Sequence, residues 1–192
     1  MKNKQTIMRK IDSIILHCTA TPEGKDYNVD TIRSWHLARG WSDIGYHFII
    51  HLDGSISVGR PIIKAGAHAY GFNANSIGIA YVGGLDSNAK NSKDTRTPKQ
   101  VESIKNLVAK LILEHDDIRL LIGHRDTSPD LNGNGTVERG EWIKTCPSFD
   151  VEKEYGEWFE KSLLAKQLST MEDEIKQAKK ELADKRKRNA GY

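Results

Sequence analysis

Residues 11–17 read Ile-Asp-Ser-Ile-Ile-Leu-His, and residues 119–124 read Arg-Leu-Leu-Ile-Gly-His. Each is a short run of branched aliphatic residues, the length of a strand and well short of a helix. Ile11–Leu16 predicts a buried strand whose end places His17 at the edge. Arg119–Gly123 predicts another, and it delivers His124 in the same way. Ser76–Val82 (SIGIAYV) is a further buried strand, followed by Gly83-Gly84. Gly45–His51 (GYHFIIH) and Ser55–Val58 (SISV) flank Asp53-Gly54. That pair predicts a two-residue hairpin, because both positions tolerate positive φ.

Helical signals lie between these runs. Asp30–Arg39 reads as a helix stopped by Gly40. A stronger one begins at Thr97, with Pro98 at the first helical position and Gln100 completing a capping box. Val101, Ile104, Leu107, Val108, Leu111 and Ile112 then recur at helical spacing and form one core face. Strands alternating with helices predict an α/β fold, a central mixed β-sheet flanked by helices. Ligands collect at one edge of such sheets, so histidines at strand ends are placed to do chemistry.

The chain has 192 residues, 38% hydrophobic and 29% charged, which suits one soluble domain plus an extension. No apolar run approaches the roughly 20 residues of a membrane helix, so no membrane partner is expected. A net charge of +3 does not demand a nucleic-acid partner. The opening MKNKQTIMRK precedes an apolar run too short for a signal-peptide core, and no cleavage site follows. Synthesis in the cytoplasm without a signal peptide is the expectation; a substrate outside it would need another agent for delivery. Cys18 and Cys146 do not make a disulfide framework and read as free thiols or metal ligands.

Composition changes near residue 150. Residues 151–192 contain 19 charged residues of 42, against 36 in the first 150. The expected division is a catalytic domain over 1–150 and a charged helical tail over 151–192, the C-terminal helical extension. Leu164, Leu168, Met171, Ile175, Ala178 and Leu182 are spaced as an a/d heptad seam. That seam predicts self-association through the C-terminal helix or another partner. The alternative is a solvated helix that packs its stripe on its own domain. Lys185–Arg188 reads as a solvated helix end.

His17, His124 and Cys146 are candidate zinc ligands, since zinc accepts imidazole and thiolate and catalytic sites use three protein ligands plus water. No HExxH or CxxC is present, so spacing alone says little. The surrounding motifs say more: IILHCTAT (14–21), GWSDIGYHFIIHLDGSISVGR (40–60), GAHAYGFNANSIGIAYVGG (66–84), GHRD (123–126) and KTCPSFDV (144–151). In this order the chain resembles the zinc amidases of the phage-lysozyme and peptidoglycan-recognition-protein family over about 140 residues.

The resemblance implies that His17, His124 and Cys146 bind one catalytic Zn2+ and that Tyr46 and Lys144 are catalytic. It implies an N-acetylmuramoyl-L-alanine amidase whose partner is bacterial peptidoglycan. Zinc-activated water would attack the lactyl amide, with Lys144 stabilising the oxyanion and Tyr46 orienting water or assisting proton transfer. By the same resemblance His68 and Asn73 line the substrate groove; Trp41 reads as a core anchor, with the groove wall as the alternative. If Tyr46 faces the cleft, strand alternation turns His47 away from it. Asp126 is expected to orient His124 or its loop.

The interval between His124 and Cys146 is longer than the family's usual loop. It carries Asp130, Asn132, Asn134, Gly135, Thr136, Glu138 and Glu141 in the pattern D-x-N-x-N-G-x5-E, a calcium-loop signature. Ca2+ is therefore an expected second cofactor, with a polar Asn/Gly-rich turn as the alternative. For function, a phage or prophage endolysin leads; a non-catalytic peptidoglycan-binding module or a host wall-recycling amidase are the rivals. Binding modules of this fold typically lack the cysteine ligand, and Cys146 is present.

Overall fold

The computed structural model describes residues 9–189. The first eight residues, on which part of the leader expectation rests, lie outside that range. In chain order the elements are β1 (Ser13–Cys18), β2 (Thr21–Pro22), α1 (Val29–Ala38), β3 (Phe48–Ile50), β4 (Ile56–Val58), β5 (Ser76–Tyr81), β6 (Gly84–Leu85), α2 (Pro98–Glu114), β7 (Leu120–Gly123) and α3 (Val151–Asn189). Short 3-10 turns occupy His124–Thr127 and Arg139–Glu141.

Five strands make the main sheet in the order β4-β3-β5-β1-β7. β1 pairs in parallel with β5 and β7, β3 in parallel with β5, and β4 returns antiparallel to β3. The sheet is mixed and flanked by helices, as expected. All six residues of β1 and of β5 are buried, because both faces of these central strands are covered. On one face Ile14, Leu16 and Cys18 join Ile77, Ile79, Ile104, Val108, Leu111, Tyr155 and Phe159, so α2 and α3 cover it. On the other, Ile32 of α1 packs with Ile44, Ile49, Ala80 and Val82.

The α2 start follows the expectation. Gln100 N–H donates to Thr97 Oγ1 (3.1 Å), and Thr97 N–H donates to Gln100 Oε1 (2.9 Å). Gln100 does more than cap: its buried Nε2 donates to the carbonyls of Ile50 and Val82, tying the helix to two strands.

Several boundaries differ from expectation. β1 starts and ends two residues later than read, so His17 lies inside the strand with Cys18 after it. The hairpin loop holds three residues, not two. Gly54 N–H donates to His51 O and His51 N–H to Ser55 O, and in this loop only Gly54 has a positive φ (84°). That is a turn completed by a left-handed glycine. β3 covers only Phe48–Ile50, so Tyr46 precedes the strand. The expected alternation breaks there: Tyr46 packs with Ile49 on the α1 face, while Phe48 and Ile50 pack on the other.

α3 is one helix of 39 residues. Its first turns bury Val151, Tyr155 and Phe159, each stabilising the docking by roughly 1.5–3 kcal/mol. Arg96 clamps it from the side, pairing with Glu154 (2.7 Å), donating to Tyr155 Oη (2.8 Å) and lying 3.2 Å over the Phe149 ring. Lys166 donates to the Ile112 and His115 carbonyls at the end of α2 and pairs with Asp116 (2.8 Å). Past Lys166, Gln167 through Arg188 are exposed without exception. The heptad stripe therefore does not pack on its own domain. No described helix is long and apolar enough to cross a membrane.

Candidate metal centre

Parallel pairing of β1 with β7 brings His17 and His124 to the same end of the sheet, the carboxyl end of both strands. Cys146 arrives from the following loop. Arg125 N–H donates to Cys146 O (2.7 Å), and Tyr81 Oη donates to Pro147 O (2.8 Å), which fixes that loop against the sheet. One ligand atom from each of His17, His124 and Cys146 lies within 4.8 Å of the others.

The orientation of His17 is set from behind. Its Nδ1 faces Cys146 Sγ (3.8 Å), and its Nε2 is 3.0 Å from His68 Nδ1. His68 Nε2 is 3.3 Å from Ser76 Oγ, and Ser76 Oγ donates to Phe72 O (2.8 Å). A carbonyl only accepts, so Ser76 spends its proton there and accepts from His68 Nε2–H. His68 Nδ1 is then the bare nitrogen and accepts from His17 Nε2–H. That leaves the lone pair of His17 Nδ1 aimed at the cluster. Gly66 and Gly78 make room for this relay: a Cβ would come within 2.3 Å and 2.5 Å of the His68 ring.

The electrostatics suit a cation. Burial holds His17 well below the usual histidine range, and burial with the Lys144 charge holds His124 at about 4. Both rings are neutral near pH 7 and carry lone pairs. Burial pushes the Cys146 thiol up. Its sulfur nonetheless receives the Cys18 backbone N–H at 3.2 Å, a donor that favours thiolate. A metal ion would complete that stabilisation. The donor set fits zinc. The Cys18 side chain, on the opposite strand face, falls outside the ligand group.

Tyr46 is half-buried, its ring 5.1 Å from His17 and 5.3 Å from His36. Burial raises its phenol pKa, so it keeps its proton and serves as a donor. Lys144 is exposed and borders two openings. One, about 650 Å³, runs past Trp41, Tyr70 and His124. The other, about 480 Å³, runs past Cys146, Trp142 and Arg139. Trp41 is 37% exposed and walls the first, so it is not the core anchor expected.

Other expected site residues fall as follows. His68 is buried behind His17 and also lines the larger opening, as expected for a groove residue. Asn73 borders the larger opening, but its Oδ1 accepts from the His68 and Ala69 N–H groups (2.8 and 3.0 Å), shaping the loop. Asp126 Oδ2 accepts from Gly123 N–H (2.8 Å) and its other oxygen approaches Arg125. It braces the turn that carries His124. His47 is not one of the three clustered ligand residues; its Nδ1 accepts the Gly78 N–H (2.9 Å) and its ring packs edge-on against His68.

Residues 130–141 form an exposed loop. Asp130 accepts from Gly133 and Gly135, Asn132 and Asn134 accept from Asn134 and Thr136, and Glu141 accepts from Leu131, Asn132 and Glu138. Residues missed by sequence reasoning are His36, which accepts the Gly45 N–H (3.0 Å) beneath Tyr46, and Ser76, which ends the His17 relay. Neither carries a motif; Ser76 was legible only as a strand residue.

Two imidazoles and a thiol gather around one point at the carboxyl ends of β1 and β7, a donor set that could hold a metal ion. The chain belongs to the N-acetylmuramoyl-L-alanine amidase family, whose sequence profile matches residues 7–147. It is 37% identical over 153 residues to the endolysins of Enterobacteria phage T3 and Escherichia phage T7, covering 80% of this chain and 88% of each relative. Among solved structures it is similar to the N-acetylmuramoyl-L-alanine amidase LysC from Clostridium intestinale (30% identity, TM-score 0.57, 79% of this chain and 86% of that one). Drosophila PGRP-LB is a second neighbour (27% identity, TM-score 0.58, 79% and 82%).

Proposed function

We propose that this amidase is a phage-type endolysin whose zinc centre is held by His17, His124 and Cys146. It hydrolyses the amide between the lactyl group of N-acetylmuramic acid and the L-alanine of the stem peptide. The observation that carries the reading is the convergence of those three ligand atoms, with the Tyr46 ring against His17 and Lys144 on the rim of the openings beside His124 and Cys146. Identity to the phage T3 and T7 endolysins supports the phage context. In that context the enzyme is made in the cytoplasm and reaches the wall on release.

Zinc, when bound, supplies Lewis acidity and a bound water acidic enough to ionise near pH 7. The chain's own residues do the rest. His68 and Ser76 hold His17 in the tautomer that presents Nδ1. The scissile carbonyl lies where Lys144 reaches it from the rim, and the ammonium stabilises charge growing on its oxygen. Tyr46, protonated throughout, donates a hydrogen bond to the attacking oxygen or to the carbonyl. Bond cleavage releases a lactyl carboxylate and an alanyl amine.

Ca2+ in the 130–141 loop is a further part of the proposal, supported by the twelve-residue pattern and by Asp130 and Glu141 closing the loop from opposite ends. The loop joins two zinc ligands, so calcium would steady the cleft.

The deciding experiment digests purified peptidoglycan with wild type and Cys146→Ser and reads new amino termini by mass spectrometry. Alanyl termini made by wild type and lost in the variant support the proposal. Zinc bound without cleavage would favour a non-catalytic binding module.

A further inference from the structure

We propose that the projecting part of α3 forms a parallel two-stranded coiled coil with a second copy of this chain. Leu164, Leu168, Met171, Ile175 and Leu182 stand 51–56% exposed on one side of a helix whose residues are all exposed from Gln167 to Arg188. From Gln167 to Arg188 it extends about 33 Å from the domain. An isolated helix of this length is marginal in water unless its apolar face is covered.

The flanking charges name the occupant. With Leu168, Ile175 and Leu182 at a and Leu164, Met171 and Ala178 at d, the e positions are Ala165, Glu172, Lys179 and Arg186. The g positions are Gln167, Glu174, Glu181 and Arg188. In a parallel pair each g residue meets the e residue of the next heptad on the other copy. Glu174 then faces Lys179, and Glu181 faces Arg186. Twofold symmetry doubles both, giving four opposite-charge contacts and no like-charge one among the four. In the antiparallel register that stacks Ile175 on Ala178, g faces g and e faces e, so two Glu174–Glu181 repulsions cancel two Glu172–Lys179 attractions, against four attractions in the parallel pair. The pattern therefore selects the parallel arrangement. Nine of the nineteen tail charges are acidic, which argues against an anionic lipid surface as the cover for this stripe.

The test is sedimentation equilibrium on the full chain at micromolar concentrations, where twice the chain mass is expected. Glu174→Lys/Glu181→Lys turns all four contacts repulsive and should raise the dimer dissociation constant at least ~10-fold. Adding Lys179→Glu/Arg186→Glu to that variant swaps the pairs and should restore the dimer. Ala178→Cys should crosslink to its own copy on oxidation, beyond the wild-type background, because in-register parallel strands place equal d positions side by side. These positions lie outside the folded domain, so zinc content should not change. A chain that stays monomeric overturns the proposal. Failure of the fourfold swap to restore the dimer, or of Ala178→Cys to crosslink, overturns the parallel register.

Discussion

His17 Nε2 lies 3.0 Å from His68 Nδ1, and the opposite nitrogen of the His17 ring faces Cys146. A residue 51 positions away thus fixes which lone pair of His17 is free. Replacing His68 with Ala should lower zinc affinity and activity by roughly 10–100-fold, the usual cost of losing a partner behind a ligand. His68→Asn, which keeps an acceptor near Nδ1, should recover part of it. Zinc competition with a chromogenic chelator measures the first effect directly. Equal zinc affinity in wild type and His68→Ala would refute the relay.

Tyr46 and Lys144 should separate in kinetics. Tyr46→Phe keeps the ring on His17 and His36 and removes only the hydroxyl, so melting temperature should hold while kcat falls. Lys144→Ala removes an exposed side chain, and its loss should also appear mainly in kcat. A drop of about 100-fold is expected for an oxyanion donor. A change confined to KM in either variant would mean that the residue binds substrate and transition state equally and adds nothing to the chemical step.

Stability of the metal-free protein should fall in acid. Burial holds His36, His47 and His124 at about 4 and His68 at about 3. Unfolding returns each to about 6.5, so the unfolded chain binds more protons between those values. Stability is therefore intact above pH 6.5 and lost as pH falls toward 4. Each fully buried histidine costs up to about 1.4 kcal/mol per pH unit in that window. Urea midpoints across the range check this, and His47→Gln should flatten the slope if it keeps the fold.

Calcium should raise the melting temperature of zinc-loaded, chelator-stripped protein by a few degrees, and Glu141→Gln should abolish the rise. No shift in wild type would leave residues 130–141 as a hydrogen-bonded turn and nothing more.

Much of this was legible in the chain. The capping box at Thr97, the apolar face of α2 and the strands around His17 and His124 carry local signals, and the structure follows them closely. The meeting of His17, His124 and Cys146 was legible through their flanking motifs, since they come together only by the β1–β7 pairing and the loop after it. What was not legible depends on neighbours distant in sequence. Tyr46 breaks the strand alternation because β3 begins two residues later, a boundary set by pairing with β5. Trp41 looked like core by chemistry, but the cleft takes its exposed face. His68 gave no sign of serving His17, because the space it fills exists only where Gly66 and Gly78 lack side chains.

The space around Lys144 continues on both sides of it, past Trp41 in one direction and Arg139 in the other. Openings on both sides of Lys144 leave room for a polymer that runs on past the site in either direction, so no chain end is needed. Cuts are then scattered along the strands of a cross-linked mesh, and each weakens the net independently. Under turgor a wall fails at its sparsest point, and an enzyme that bites mid-strand reaches that point long before one that must nibble inward from free termini.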